Sequence, residues 1–257
     1  MAPCPAELVA FAHHLGDIAG DLLRGFARGP VTVEIKADGS PVTEVDRAVE
    51  TALRDEIRRA HPAHGVIGEE FAPDRADAEW VWIVDPLDGT REFIQGLPLF
   101  GVLIALAHRG RIVLGLAEQP LTRDRWLGAD GHGTVWNGAP ASVRACASLN
   151  EAVLSTMGYD TFCAQHHARL SPLRRDCRTI VTGDSFYVFG LLAGGRVDAV
   201  VSDGFALHDY AALDAIVRNA GGAMTDWAGR RLTLGSDRSI VAVGDACLLA
   251  QIFPRLG

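Results

Sequence analysis

The sequence predicts an α/β protein in two halves, one combining helices with an antiparallel sheet and one alternating helices and strands. Three observations support this fold class. The chain has 257 residues, of which 48% are hydrophobic, so it can bury a large core. Two amphipathic helical patterns and then strand-like apolar runs occupy the first part of the chain. Beyond a soft boundary near residue 140, predicted helices and strands alternate. We therefore expect halves at 1–140 and 141–257 that pack as one compact unit.

Two amphipathic helices are predicted at the start of the chain. Apolar residues recur at helical spacing across 8–26 and again across 45–57. Thr43 is a candidate cap for the second helix, and His61-Pro62 is its expected end. The turn ADGSP separates the two helices.

Strands are predicted for the middle of the chain, and alternating helices and strands for the rest. GVIGEE, WVWIVD, LFGVLIALAHRG and RIVLGLAEQP are apolar runs typical of strands, and Arg109-Gly110 joins the last two as a hairpin. A helix over 185–194, the strand RVDAVVS, a helix over 209–220, the strands AMTDW and SIVAVG, and a closing helix follow.

Charge and cysteine usage exclude several classes of protein. A net charge of -8 and a pI near 5.5 argue against nucleic-acid and anionic-membrane partners, which require a basic surface. The five cysteines are an odd set without a C-x-x-C pair, which indicates reduced thiols in a cytoplasmic protein. Charged residues near the start and the lack of an apolar run of about 18 residues predict neither export nor a membrane span.

Acidic residues recur where a predicted strand ends or a predicted helix begins. Alone, each is typical of an acid that stabilises a helix dipole. Together they predict a cation site, because converging carboxylates repel one another unless a hard ion such as Mg²⁺ neutralises them. The residues are Asp46, Glu69, Glu70, Asp85, Asp88 and Asp209.

The stretch WIVDPLDGT has two interpretations. Asp-Pro and Asp-Gly are typical of a surface turn, and the two-residue gap between the aspartates also suggests a turn. Alternatively, Gly89 and Thr90 begin a helix whose amides face a phosphate, with the aspartates holding the metal.

Three ordered motifs and an N-terminal segment resemble the inositol monophosphatase superfamily. They are KADGSPVTEVD, GEE, WIVDPLDGT and HDYAALDAIVRNAGG, and together they span nearly the full length. The resemblance implies a layered α-β-α-β-α sandwich of the inositol monophosphatase and fructose-1,6-bisphosphatase type. It also implies Mg²⁺-dependent hydrolysis of a small-molecule phosphate monoester by an in-line water, with two or three ions per site, no phosphoenzyme and a homodimeric assembly.

Residue roles follow from the same resemblance. Glu69, Asp85 and the Leu87 carbonyl would hold the first metal, and Asp85, Asp88 and Asp209 the second. Asp46, Glu69 and Thr90 are the candidate catalytic residues, since Asp46 and Thr90 would orient the attacking water. Asp88, Gly89 and Thr90 would bind the phosphate, and the KADGSPVTEVD loop would close over the site. The candidate substrate-binding residues are Asp184, Ser185, Ser202 and Asp209.

The finer resemblance is to the histidinol-phosphatase branch, which acts in histidine biosynthesis. It rests on DGTREFIQGLPLFGVLIALAHRGRIVLGLAEQP, RWLG and GDSFYVFGLLAGGRVDAVV. Three features depart from the pattern: Ser202 stands where Glu is usual, His208 stands where Trp or Tyr is common, and the segment before His208 lacks the usual Pro. A carboxylate for the cationic substrate would come from Asp184 or Asp203, although Asp184 is equally typical of a helix cap.

Other functions remain open at this stage. An inositol monophosphatase or a broad-specificity sugar and polyol phosphatase is the alternative substrate assignment. A haloacid-dehalogenase phosphatase would need one residue between its two aspartates, not two. A non-catalytic metal-binding scaffold is the alternative from another class, and a Mg²⁺-dependent phosphate-release assay separates it from an enzyme.

Overall fold

The two predicted N-terminal helices are present in the computed structural model, which describes residues 3–27, 29–37, 39–156, 164–182 and 185–256. Helix α1 spans Ala6–Phe26 and α2 spans Glu44–Ala60. Thr43 caps α2 by accepting a hydrogen bond from the Val45 amide at 3.2 Å, as predicted. A short hairpin, β1 (Val33–Ile35) and β2 (Pro41–Thr43), lies between the helices.

A seven-stranded sheet forms the next layer. Its strands are β3 (Gly65–Gly68), β4 (Trp80–Asp88), β5 (Gly101–His108), β6 (Arg111–Gln119), β7 (Asp124–Ala129), β8 (Gly133–Trp136) and β9 (Ala139–Ala141), and helix α3 (Thr90–Gln95) joins β4 to β5. Neighbouring strands are antiparallel except β3 and β4, which are parallel. The predicted hairpin is confirmed, because His108 pairs with Arg111.

A five-stranded sheet lies in the second half of the chain. Its spatial order is β11 (Thr179–Thr182), β10 (Val153–Thr156), β12 (Ala199–Ser202), β14 (Ile240–Val243) and β13 (Ala223–Thr225). Strand β10 is parallel to β11 and β12, whereas β14 is antiparallel to β12 and β13. Three of these strands match predicted ones, while β10, β11 and the strands β7–β9 were not predicted.

Helices complete a five-layer α-β-α-β-α sandwich, the layering that the resemblance implies. Helices α1 and α2 cover the outer face of the first sheet. Helices α5 (Phe186–Ala193) and α6 (Leu207–Asn219) share one core with inward residues of both sheets. Helices α4 (Ala164–Asp176) and α7 (Leu249–Leu256) cover the outer face of the second sheet. No helix in the described ranges is long and apolar enough to cross a bilayer.

Two glycines allow α6 to lie unusually close to the first sheet. A Cβ atom at Gly115 of β6 would lie 2.0 Å from the Ala212 carbonyl oxygen, and one at Gly128 of β7 would lie 2.6 Å from the Ile216 Cα. Contacts this short are forbidden, so only glycine fits. The close approach fixes the height of the α6 N-terminus, and therefore of Asp209, over the sheet.

Candidate active site

Strand β4 carries both aspartates of WIVDPLDGT through a β-bulge. Asp85 pairs with Leu103, and Asp88 pairs with Gly101. Between these two pairs the chain advances by three residues on β4 but by only two on β5, so β4 contains one extra residue. Without the extra residue, Asp85 and Leu87 would share a face of the sheet. Instead Leu87 packs in the core under α1 and α2, and the two aspartates lie together on the opposite face. The surface-turn interpretation of the two aspartates is therefore wrong, because both lie in a bulged strand.

Carboxylates from three elements converge at this bulge. Possible ligand atoms of Asp85, Asp88 and Asp209 lie within 4.8 Å of one another, and so do those of Glu69, Asp85 and His208. Glu69 follows β3, the aspartates end β4, and Asp209 lies in the first turn of α6. The parallel pairing of β3 with β4 brings Glu69 alongside. The structure thus brings together, in two groups that share Asp85, the four acids that the resemblance implies as metal ligands.

The pKa values of these acids show the electrostatic cost of gathering them. Burial, together with the charges of Glu69, Asp88 and Asp209, raises the pKa of Asp85 well above its usual range. Burial and the charge of Asp209 raise the pKa of Asp88 to about 8. Burial also raises the pKa of Asp209, despite the opposing effect of His208. A divalent cation would remove this cost, because it stabilises the ionised carboxylates.

The two carboxylate oxygens of Asp46 have different partners, one at the start of α2 and one in the candidate active site. Its Oδ2 accepts hydrogen bonds from the Thr43 amide at 2.8 Å and the Thr43 hydroxyl at 2.5 Å, which completes a capping box. Its Oδ1 accepts from the Thr90 hydroxyl at 3.2 Å. Burial raises the pKa of Asp46. The helix-start and active-site interpretations of this acid are therefore compatible.

Gly89 and Thr90 begin α3, as predicted. Gly89 has φ 82° and is the N-cap, and a Cβ atom there would lie 2.6 Å from the Leu99 carbonyl oxygen. The left-handed conformation and the close approach both require glycine. The Thr90 hydroxyl also lies 3.0 Å from the Leu87 carbonyl oxygen, so it joins the bulge to Asp46.

The N-termini of two helices in the middle layer meet the cluster. The Phe186 amide of α5 donates to Asp88 Oδ2 at 3.2 Å, and Ser185 caps α5 by accepting from the Tyr187 amide at 3.3 Å. Asp209 Oδ2 accepts from the Ala206 amide at 2.6 Å. The positive ends of both helices therefore face the acids.

The β1–β2 hairpin reaches the site through Lys36, a residue that the sequence analysis did not single out. Its Nζ lies 2.8 Å from Glu69 Oε1 and 2.6 Å from Glu70 Oε1. Burial opposes the charge on Lys36, but the hydrogen bonds and charges of the two glutamates outweigh it and raise the lysine pKa. The lysine of KADGSP could have indicated this contact, because a cation in a loop before an acidic motif can pair with the acids of that motif.

Glu50 of α2 supports the GEE segment from behind and was also missed. This fully buried carboxylate accepts from the Glu70 amide at 2.7 Å and pairs with Arg54 at 2.7 Å. A Cβ atom at Gly68 would lie 2.0 Å from Glu50 Oε1, so the glycine of GEE makes room for this support.

The sequence model of the inositol monophosphatase family matches residues 5–254. This chain belongs to the inositol monophosphatase family. Members hydrolyse phosphate monoesters and depend on metal ions, so the chain is a phosphoric monoester hydrolase whose acidic cluster is suited to metal.

Three relatives show how similar other family members are. The bifunctional phosphatase IMPL2, chloroplastic, of Arabidopsis thaliana is 35% identical over 97% of this chain and 75% of its own length. A histidinol-phosphatase of Chlorobaculum parvum is 35% identical over 90% of each chain. The solved inositol monophosphatase of Zymomonas mobilis is 39% identical, covers 98% of each chain and has a TM-score of 0.89. The fold of the family is therefore the fold of this chain.

The candidate substrate contacts lie in different surroundings. Asp184 lies outside the described residues, and the cap of α5 is its neighbour Ser185. Ser202 ends β12 with a side chain that is wholly buried. Asp203 lines a separate cavity of about 420 Å³ with Arg169 and other residues, and none of the four clustered acids lines that cavity. Of the four candidates, Asp209 belongs to the cluster, and Ser185 directly precedes the Phe186 amide that bonds to Asp88.

Proposed function

We propose that this member of the inositol monophosphatase family is a Mg²⁺-dependent histidinol-phosphate phosphatase of histidine biosynthesis. The observation that carries the catalytic part is that Glu69, Asp85, Asp88 and Asp209 form two neighbouring ligand groups. The groups share Asp85, and the pKa values of the three aspartates are raised.

The donor set suits a hard divalent ion. All four groups offer carboxylate oxygens, which Mg²⁺ prefers. Glu69, Asp85 and the Leu87 carbonyl would hold one ion, and Asp85, Asp88 and Asp209 a second. When bound, such ions neutralise charge on the phosphoryl oxygens and lower the pKa of a bound water.

Asp46 and Thr90 are positioned to handle the proton of the attacking water. The single proton of the Thr90 hydroxyl can be donated to Asp46 Oδ1 at 3.2 Å or to the Leu87 carbonyl at 3.0 Å, and the hydroxyl oxygen can accept a hydrogen bond from water in either case. Because its pKa is raised, Asp46 is a stronger base than an ordinary aspartate. The water oxygen bonds to phosphorus as the phosphorus–oxygen bond to the alcohol breaks. The proton of the attacking water passes through Thr90 to Asp46, and the departing alcohol oxygen takes a proton from solvent water.

Gly89 and Thr90 would bind the phosphate. Their amides begin α3, where N–H groups lack intrahelical acceptors, and the Gly89 backbone leaves no side chain in the way of an anion. Asp88 would contact the same group through its metal.

A carboxylate beside the organic half, for which Asp184 is the candidate from the sequence, would favour histidinol phosphate as the substrate. Its organic half carries an ammonium group, and an ammonium about 4 Å from one carboxylate gains roughly 4 kcal/mol at an effective dielectric constant of 20. The similarity to the Chlorobaculum parvum histidinol-phosphatase supports the same choice. The alternative, inositol 1-phosphate or another polyol phosphate, is supported by the 39% identity to the Zymomonas mobilis enzyme.

Phosphate release decides between these substrates. Purified protein with Mg²⁺ is given histidinol phosphate or inositol 1-phosphate at matched concentrations. We expect kcat/KM for histidinol phosphate to be at least about tenfold higher, equivalent to about 1.4 kcal/mol in the transition state. A clear preference for inositol 1-phosphate would overturn the substrate assignment. No release from any phosphate ester would favour a metal-binding scaffold. A homodimeric assembly and a cytoplasmic location remain predictions from the sequence.

A further inference from the structure

His208 stands at the edge of the carboxylate cluster where an aromatic residue is common in the motif. Its Nε2 lies 3.5 Å from Asp209 Oδ1 and 3.9 Å from Glu69 Oε2. Both distances exceed those of a hydrogen bond, so the ring nitrogen faces two oxygens without bonding to either. Only a fifth of the side chain is exposed, at 20%.

The spacing of these atoms suits ligands that share one ion. Metal–nitrogen and metal–oxygen bonds are about 2.1 Å long. His208 Nε2 and Glu69 Oε2 are 3.9 Å apart, which is within the roughly 4.2 Å that two such bonds can span, so one ion can contact both atoms. The ligand atoms of Glu69, Asp85 and His208 all lie within 4.8 Å of one another, so small side-chain rotations bring them onto one ion.

The surroundings leave these ligand atoms available. Lys36 pairs with Oε1 of Glu69, whereas His208 faces Oε2. Asp85 is 2% exposed, so its carboxylate has little access to bulk water and depends on the groups in the cluster. A buried carboxylate, a second carboxylate and an imidazole from three different elements therefore surround the same point.

We propose that His208 is an imidazole ligand of the metal position formed by Glu69 and Asp85, and that it gives this chain a high affinity for Mn²⁺, Co²⁺ and Zn²⁺. Imidazole suits these transition metals, whereas carboxylate and water suit Mg²⁺. An all-carboxylate site discriminates less between the two classes. The inference rests on the proposed metal site and adds a transition-metal preference to it.

Metal binding, measured without turnover, tests the proposal. The metal-free protein is titrated with Mn²⁺ while free Mn²⁺ is followed by electron paramagnetic resonance, and Mg²⁺ affinity is obtained by competition. The variants are His208→Phe, which has similar volume and no ligand atom, and His14→Asn as a control. His14 pairs with Glu56 on the protein surface, at 2.8 Å.

We expect His208→Phe to weaken Mn²⁺ binding by at least about tenfold, as even indirect support of a ligand is worth 10–100-fold. The Mg²⁺ affinity should change by less than about threefold, because Mg²⁺ gains little from nitrogen. His14→Asn should change neither. Pulsed electron paramagnetic resonance of Mn²⁺ in the unaltered protein should show coupling to an imidazole nitrogen, and this readout does not depend on the variant folding.

The failures of the two proposals are distinguishable. Mg²⁺ binding with no nitrogen coupling, or an unchanged ratio of Mn²⁺ to Mg²⁺ affinity in His208→Phe, would overturn the role of His208 alone. An absence of binding by every divalent ion would overturn the proposed metal-dependent function as well.

Discussion

Asp88→Asn should make the metal-free protein more stable while abolishing its catalysis. Burial and Asp209 raise the pKa of Asp88 from 3.8 to about 8 in the folded protein. Between these values the unfolded chain binds fewer protons at this group than the folded chain, so its ionisation lowers stability as pH rises from about 4 to 8. Asparagine keeps the shape and can still accept the hydrogen bond from the Phe186 amide, but it carries no charge.

The magnitude follows from the shift. At pH 7 the carboxyl group is 3.2 units above its unfolded pKa, calculated as 7 minus 3.8, and each unit is worth about 1.4 kcal/mol. The variant should therefore gain up to about 4 kcal/mol in free energy of unfolding, or about 10 °C in Tm for a chain of this size. The gain should vanish below about pH 3, where Asp88 is protonated in both the folded and the unfolded state.

Chemical denaturation in a chelating buffer at several pH values measures this gain. With Mg²⁺ the order should reverse, because the unaltered protein binds the ion and the variant has lost a ligand. Asp198→Asn is the matched control. That fully buried aspartate accepts from Arg144 Nε at 2.6 Å, so its replacement should cost about 2 kcal/mol at pH 7. A metal-free Asp88→Asn protein that is less stable than the unaltered one at pH 7 would refute the reasoning.

Three further predictions concern packing, pH and proton handling. Gly115→Ala should lower the free energy of unfolding by about 1–3 kcal/mol and weaken Mg²⁺ binding, because the new Cβ atom pushes α6 outward. Calorimetry should show no such loss for Gly25→Ala, because a Cβ atom at Gly25 has no neighbour within 4 Å. Burial lowers the pKa of His64 to about 4. Because the unfolded chain then takes up a proton more readily than the folded protein, the free energy of unfolding should decrease as pH falls from 6.5 towards 4. Urea midpoints of His64→Gln should decrease less than those of the unaltered protein over the same pH range. Thr90→Val should reduce kcat by about 10²-fold or more with little change in KM, and steady-state kinetics that show an unchanged kcat would exclude the proposed proton path.

Local patterns predicted the parts of the fold that depend on local interactions. The cap at Thr43, the hairpin at Arg109-Gly110 and the helix after Gly89 follow from residue type and spacing, and all three are present. The layered arrangement came from the resemblance to a family. The strands β7–β11 were not predicted. Strand β10 lies between two strands that are distant in sequence, and its residues Leu154 and Thr156 are buried by packing that forms only in the folded protein.

The site shows a similar limit. The acids were identified from their placement at element ends, but the bulge that turns Asp85 and Asp88 to one face depends on pairing with β5. The contribution of Lys36 depends on where a hairpin folds back, and that of Glu50 on the close approach of Gly68. Residue types therefore identify candidate ligands, while the tertiary contacts between sheets and helices determine which of them meet.

A crystal soaked in Mn²⁺, with the ion located by its anomalous scattering, tests the central claim most directly. The account predicts one peak held by Glu69 and Asp85 and another among Asp85, Asp88 and Asp209. Carboxylates that remain in their present positions with no ion between them at saturating Mn²⁺ would contradict it.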